Sequence, residues 1–151
     1  MRYLRKFNES FSKVHNLEEF CENYLAHLLD DGFKFKVETA DDAGMLDCSY
    51  LITFAFKEII DYNMRYDDEH EFTWSEIKDT FIPFVTMLNN SYNIFEIYFN
   101  ITKATQNFTV NIDSLIADEI DDVIKDSENY YDDLPLPLGE CEIYKIEITI
   151  K

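Results

Sequence analysis

Phe95-Glu96-Ile97-Tyr98-Phe99-Asn100-Ile101 and Phe108-Thr109-Val110-Asn111-Ile112 set apolar residues at every second position. Side chains of an extended strand point alternately to its two faces, so this pattern predicts strands buried on one side and wet on the other. Thr102 to Gln106 lie between the two stretches, which makes them a hairpin.

The same alternation appears on either side of this hairpin in the chain. Phe33-Lys34-Phe35-Lys36-Val37-Glu38 reads as a half-buried strand, and Tyr144, Ile146, Ile148 and Ile150 alternate with Lys145, Glu147 and Thr149 as a last one. Tyr50 to Phe56 is apolar at nearly every position and is expected to be central in the sheet. Asp41-Asp42-Ala43-Gly44 reads as a turn, and residues 57–71 are ambiguous.

Three stretches have helical periodicity instead. Asn16 is expected to cap a helix whose face carries Leu17, Phe20, Cys21, Tyr24, Leu25, Leu28 and Leu29, and which Gly32 ends. Thr73-Trp74-Ser75-Glu76 is a capping-box pattern opening a second helix, with Trp74, Ile77, Phe81, Phe84, Val85 and Leu88 inward. Pro83 within it predicts a kink near Asp79, and Asn89-Asn90 its end. Asp113 caps a third helix with Leu115, Ile116, Ile120, Val123 and Ile124 inward.

The expected fold class is therefore α+β: a two-layer α/β sandwich with a five-stranded, largely antiparallel sheet and its helices on one face. From Tyr50 onward the order is β-α-β-β-α-β, the ferredoxin-like split pattern. A repeated αββ unit, residues 17–56 and 74–112 followed by αβ, describes the order equally well. Residues 1–15 read as a basic amphipathic N-terminal arm, with Leu4, Phe7, Phe11 and Val14 at helical spacing beside Arg2, Arg5, Lys6 and Lys13. Residues 16–151 read as a single acidic α/β domain.

Thirty-one acidic residues face thirteen basic ones, a formal net charge of −18 on 151 residues. Such a chain repels nucleic acid and anionic membrane surfaces and attracts basic partners. With 46% hydrophobic residues it has ample material for a core, so the acidity does not signal disorder. Three scattered cysteines, Cys21, Cys48 and Cys141, suggest buried thiols in a reducing compartment. No apolar run approaches the ~20 residues of a membrane span, and the basic N-terminus lacks the pattern of a secretion signal. The expected location is cytoplasmic.

The densest acids are Asp118, Glu119, Asp121 and Asp122 on the third helix, continued by Asp126, Glu128, Asp132 and Asp133 in the following loop. They read either as a contact surface for a basic protein or as a solvated face. No Asp-x-Asp-x-Asp-Gly loop is present, and consecutive helical carboxylates do not converge on one cation. His70, within Asp67-Asp68-Glu69-His70-Glu71, lacks a second His or Cys at ligand spacing. Cys21 sits on an apolar stripe, as a buried thiol would, with His15 and His27 six residues to either side. No phosphate loop, nucleophile elbow or H-E-x-x-H is present. No catalytic residue, cofactor or metal is assigned.

The wet sheet face is expected to present Leu51, Thr53, Ala55, Ile94, Tyr98, Thr109 and Ile143, with Lys34, Lys36 and Lys145. Leu51, Ile94, Tyr98 and Ile143 are its candidate docking contacts. The aromatic motif of RNA-binding sheets is absent. Glu96 and Glu147 on this face are the acids that a hydrolase would need.

Met1-Arg2-Tyr3-Leu4-Arg5-Lys6-Phe7-Asn8-Glu9-Ser10 resembles the openings of small acidic tailed-bacteriophage proteins. That resemblance implies a phage source and a bacterial host cell; it transfers no functional residue. The expected function is a non-enzymatic acidic module occupying a basic surface of a host or phage protein, as an inhibitor or nucleic-acid mimic. The alternative is a virion accessory or assembly protein, a homo-oligomer formed through the sheet face and the N-terminal arm.

Overall fold

The computed structural model describes residues 2–44, 49–62, 70–101, 108–111, 122 and 141–151. Its elements run α1 (Arg2–Asp30), β1 (Phe33–Thr39), α2 (Ala40–Ala43), β2 (Tyr50–Phe56), α3 (Lys57–Asp61), α4 (Trp74–Tyr92), β3 (Ile94–Ile101), β4 (Phe108–Asn111) and β5 (Ile143–Ile150). The class is α+β, as the periodicities imply. The strands are hydrogen-bonded in the order β1-β2-β5-β3-β4, and every neighbouring pair is antiparallel.

This order corrects the ferredoxin-like expectation. That pattern keeps its third strand inside the sheet and its last at an edge; here β5 is central and β4 is an edge. The composition of the two strands accounts for the exchange. Ile143, Ile146, Ile148 and Ile150 of β5 are all 0–1% exposed, so β5 gains most from a neighbour on each side. β4 is only four residues long and ends on Asn111. The αββ order does recur, as α1-β1-β2 and α4-β3-β4, but β5 lies between the two hairpins.

α1 is one unbroken helix, and Asn16 is an exposed residue within it rather than a cap. No Gly or Pro interrupts residues 2–30, and the apolar positions Leu4, Phe7, Phe11, Val14, Leu17, Cys21, Leu25 and Leu28 follow one another at steps of three or four. The arm and the first helix therefore share one backbone, and the 15/16 boundary falls inside it. Gly32, at φ +95, turns the chain into β1. The stretch read as a turn is the single helical turn α2, capped by Thr39, whose hydroxyl accepts from the Asp42 N–H at 3.3 Å, and by left-handed Gly44.

α4 opens as the capping pattern predicts on its carboxylate side: the Thr73 N–H donates to Glu76 Oε2 at 2.6 Å. The helix runs through Pro83 and past Asn89-Asn90 to Tyr92. Asn89 ties that end to the sheet, its Oδ1 accepting from the Ile94 N–H at 3.0 Å. α1 and α4 cover one sheet face with Leu17, Cys21, Leu25, Phe81, Phe84 and Leu88 against Ile52, Phe54, Ile97, Phe99, Ile146 and Ile148. The core is aromatic at one end, where Phe33 stacks on Phe54 and Phe56 at 4.9 and 4.2 Å between ring centres, with Phe72 edge-on at 5.2 Å.

Candidate functional site

The acidic candidates fall mostly beyond the structural description. Asp118, Glu119, Asp121, Asp126, Glu128, Asp132 and Asp133 lie outside the described residues, as does the helix expected after Asp113 apart from Asp122. Asp122 is helical and exposed.

The second face of the sheet is fully placed on its three inner strands and β1. Register pairing sets Lys36, Thr53, Glu147 and Tyr98 in one cross-strand row, and Glu38, Leu51, Thr149 and Glu96 in the next. Lys34 lies opposite Ala55, and Lys145 opposite Asn100. Short residues on this face are covered: Leu51 is 8% exposed, Ala55 0%, Asn100 4% and Thr149 1%.

Two of the four expected docking contacts are not on this face. Ile94 and Ile143 belong to the helix-side core. A register irregularity lies between Ile94 and Glu96 of β3, and another between Asn100 and Ile101, where Ile101 pairs with Ile143 and Asn100 with Lys145. Each inserts one unpaired residue, Phe95 in β3 and Tyr144 in β5, and so reverses the side on which the preceding residue falls. Strict alternation carried across those points assigns Ile94 and Ile143 to the wrong face. Phe95 is half-buried instead, with the Lys151 ammonium 4.8 Å from its ring centre. Leu51 is on the second face but buried, and Tyr98 is half-buried.

The second face is polar and internally paired. Tyr98 Oη donates to Glu96 Oε2. Asn100 Nδ2 donates to Glu147 Oε2 at 3.0 Å, and Lys145 Nζ lies 3.1 Å from Glu147 Oε1. Lys36 pairs with Glu38 at 2.8 Å, and Lys34 with Asp61 of α3. Thr149 Oγ1 accepts from the Glu96 N–H at 3.2 Å and lies 3.3 Å from the Glu96 carbonyl oxygen. All three lysines of this face thus hold a carboxylate. Each of the two glutamates a hydrolase would use accepts hydrogen bonds from its own surroundings. The sequence alternation places Lys34, Lys36 and Lys145 here; the parts played by Asn100, Asp61 and Thr149 emerge only from the register.

The remaining candidates are separate. Cys21 is fully buried in the core, while His15 and His27 are exposed on the same helix. Burial first, then the charges of Glu18 and Glu22, push the Cys21 thiol up to about 12. That keeps it a neutral thiol and a poor nucleophile. His70 Nε2 lies 3.6 Å from Glu58 Oε2, with its ring edge-on to Phe56 at 6.0 Å. Among the described residues, no three His, Cys, Asp or Glu side chains are grouped as a metal site would need, and no helix is long and apolar enough to cross a membrane.

No protein-family model, curated protein or solved structure matches this chain.

Proposed function

We propose that this chain is a non-enzymatic, strongly acidic protein-binding module that occupies a basic surface of a host or phage protein, acting as an inhibitor or nucleic-acid mimic. The observation that carries the reading is the net charge of −18. The pairing on the second sheet face adds to it. Lys34, Lys36 and Lys145 each lie beside a carboxylate, so they add little net positive charge to this face. Exposed acids elsewhere, among them Glu19, Glu22, Asp30, Asp41, Asp79 and Asp122, leave a broad negative field. A field of that sign steers a basic partner and raises its association rate. The contact surface in this reading is centred on Asp118, Glu119, Asp121 and Asp122, with Asp126, Glu128, Asp132 and Asp133 extending it.

The test is affinity capture from a bacterial lysate, eluted with a salt gradient and identified by mass spectrometry. One basic or nucleic-acid-binding protein released at moderate salt is the expected result. Reversing Asp118, Glu119, Asp121 and Asp122 to lysine should then abolish capture. Unchanged capture by that variant would remove this surface from the proposal, and capture insensitive to salt would remove its electrostatic basis.

A further inference from the structure

Among the described strands, β1 lies at an edge of the sheet, paired along all seven of its residues to β2 on one side only. Two hydrogen bonds show which of its backbone groups that pairing uses. The Ala40 N–H donates to the Ser49 carbonyl oxygen at 2.9 Å, and the Lys57 N–H to the Gly32 carbonyl oxygen at 3.0 Å. Antiparallel bonding alternates by two residues, so Lys34, Lys36 and Glu38 bond to β2, and Phe33, Phe35, Val37 and Thr39 turn their N–H groups outward. Among the described residues, no group accepts from the outward N–H groups of Phe35, Val37 and Thr39. A row of unused backbone donors and acceptors is a template for another strand.

The side chains along this edge favour one particular strand. In an antiparallel pairing of β1 with a second β1, centred on Val37, Val37 faces Val37 and the two exchange backbone hydrogen bonds. Lys36 of each copy then lies opposite Glu38 of the other, in the closely spaced positions where side chains meet. The neighbouring two-fold registers are worse. Centring on Lys36 sets Lys36 against Lys36, centring on Phe35 sets Lys36 against Lys34, and centring on Glu38 sets Glu38 against Glu38. Lys36 and Glu38 already pair within one strand, with the lysine side chain 55% exposed and available to a partner.

We propose that β1 is a homodimerisation edge, joining the sheets of two copies of this chain through an antiparallel β1–β1 pairing centred on Val37. The arrangement is a closed two-fold interface, which the same edge on each copy completes. Two copies each carrying −18 repel one another, so this association strengthens as salt is added, the opposite of the response expected for a basic partner.

Sedimentation equilibrium of the full chain, at low and moderate salt, measures the association. Hydrogen exchange at low and high protein concentration locates it. The expected result is a monomer–dimer equilibrium shifted toward dimer by salt, with the Val37 and Thr39 amides slowing at high concentration while those of Lys36 and Glu38 do not change. Lys36→Glu should weaken the dimer by on the order of tenfold, and the exchange Lys36→Glu with Glu38→Lys should restore it, because the swapped pair keeps the same register. A chain that stays monomeric at all concentrations and both salts overturns the proposal. So does a dimer in which the Val37 and Thr39 amides exchange as they do in the monomer.

Discussion

Thr149 lies on the second sheet face at 1% exposure, and its hydroxyl sits against both backbone groups of Glu96. That contact clasps β3 immediately beside the bulge at Phe95, where the regular ladder is interrupted. Replacing Thr149 with valine keeps the shape and removes the buried hydroxyl that accepts from the Glu96 N–H. The expected loss is about 1–3 kcal/mol of stability, read by urea denaturation. Cys21 makes a pH-dependent contribution. Its thiol ordinarily ionises near 9 and does so at about 12 in the fold. Below 9 both states hold the proton and the contribution is intact. Between 9 and 12 only the unfolded state releases it, so stability falls as pH rises through that window. Cys21→Ala should flatten this fall, measured by denaturation midpoints at a series of pH values.

Elements here end where backbone chemistry stops them. α4 closes on Asn93, a left-handed residue at φ 55 whose N–H donates to the Asn89 carbonyl oxygen at 3.2 Å. Asparagine tolerates that conformation and a residue with an ordinary Cβ pays for it. Asn93→Ala should cost about 1 kcal/mol, while Asn93→Gly should be close to neutral, by the same urea measurement. The helices and strands were largely legible from residue order. The alternation over 33–38 marks β1, the apolar run 50–56 is β2, and the Thr73–Glu76 pattern marks the start of α4. The break expected before Leu17 was not, because Asn16 is a good cap only where a helix must begin. With an apolar stripe continuing in phase on both sides of it, nothing stops the helix there.

The whole molecule carries its charge unevenly. Lys34, Lys36 and Lys145 lie on the second sheet face and are paired there, while exposed helix positions such as Glu19, Glu22 and Asp79 are acidic. Self-repulsion at −18 opposes compactness, and salt screens it. The thermal unfolding midpoint should therefore rise as sodium chloride is added, measured by calorimetry at fixed protein concentration. A midpoint that falls with salt would mean that local ion pairs outweigh the long-range field.

Residue order alone determined the α+β class, the strand and helix periods, the acidic field and the lysines of the wet face. These are properties of neighbouring residues or of simple sums, and a periodicity is visible wherever it is written. The tertiary structure decided that β5 takes the centre of the sheet, that Ile94 and Ile143 turn into the core, and that the wet face pairs its own charges. Each of those depends on a distant partner. β5 takes the centre, where its four buried isoleucines have a neighbouring strand on each side. A bulge is set by the register of the opposite strand, and one inserted residue reverses every side assignment beyond it.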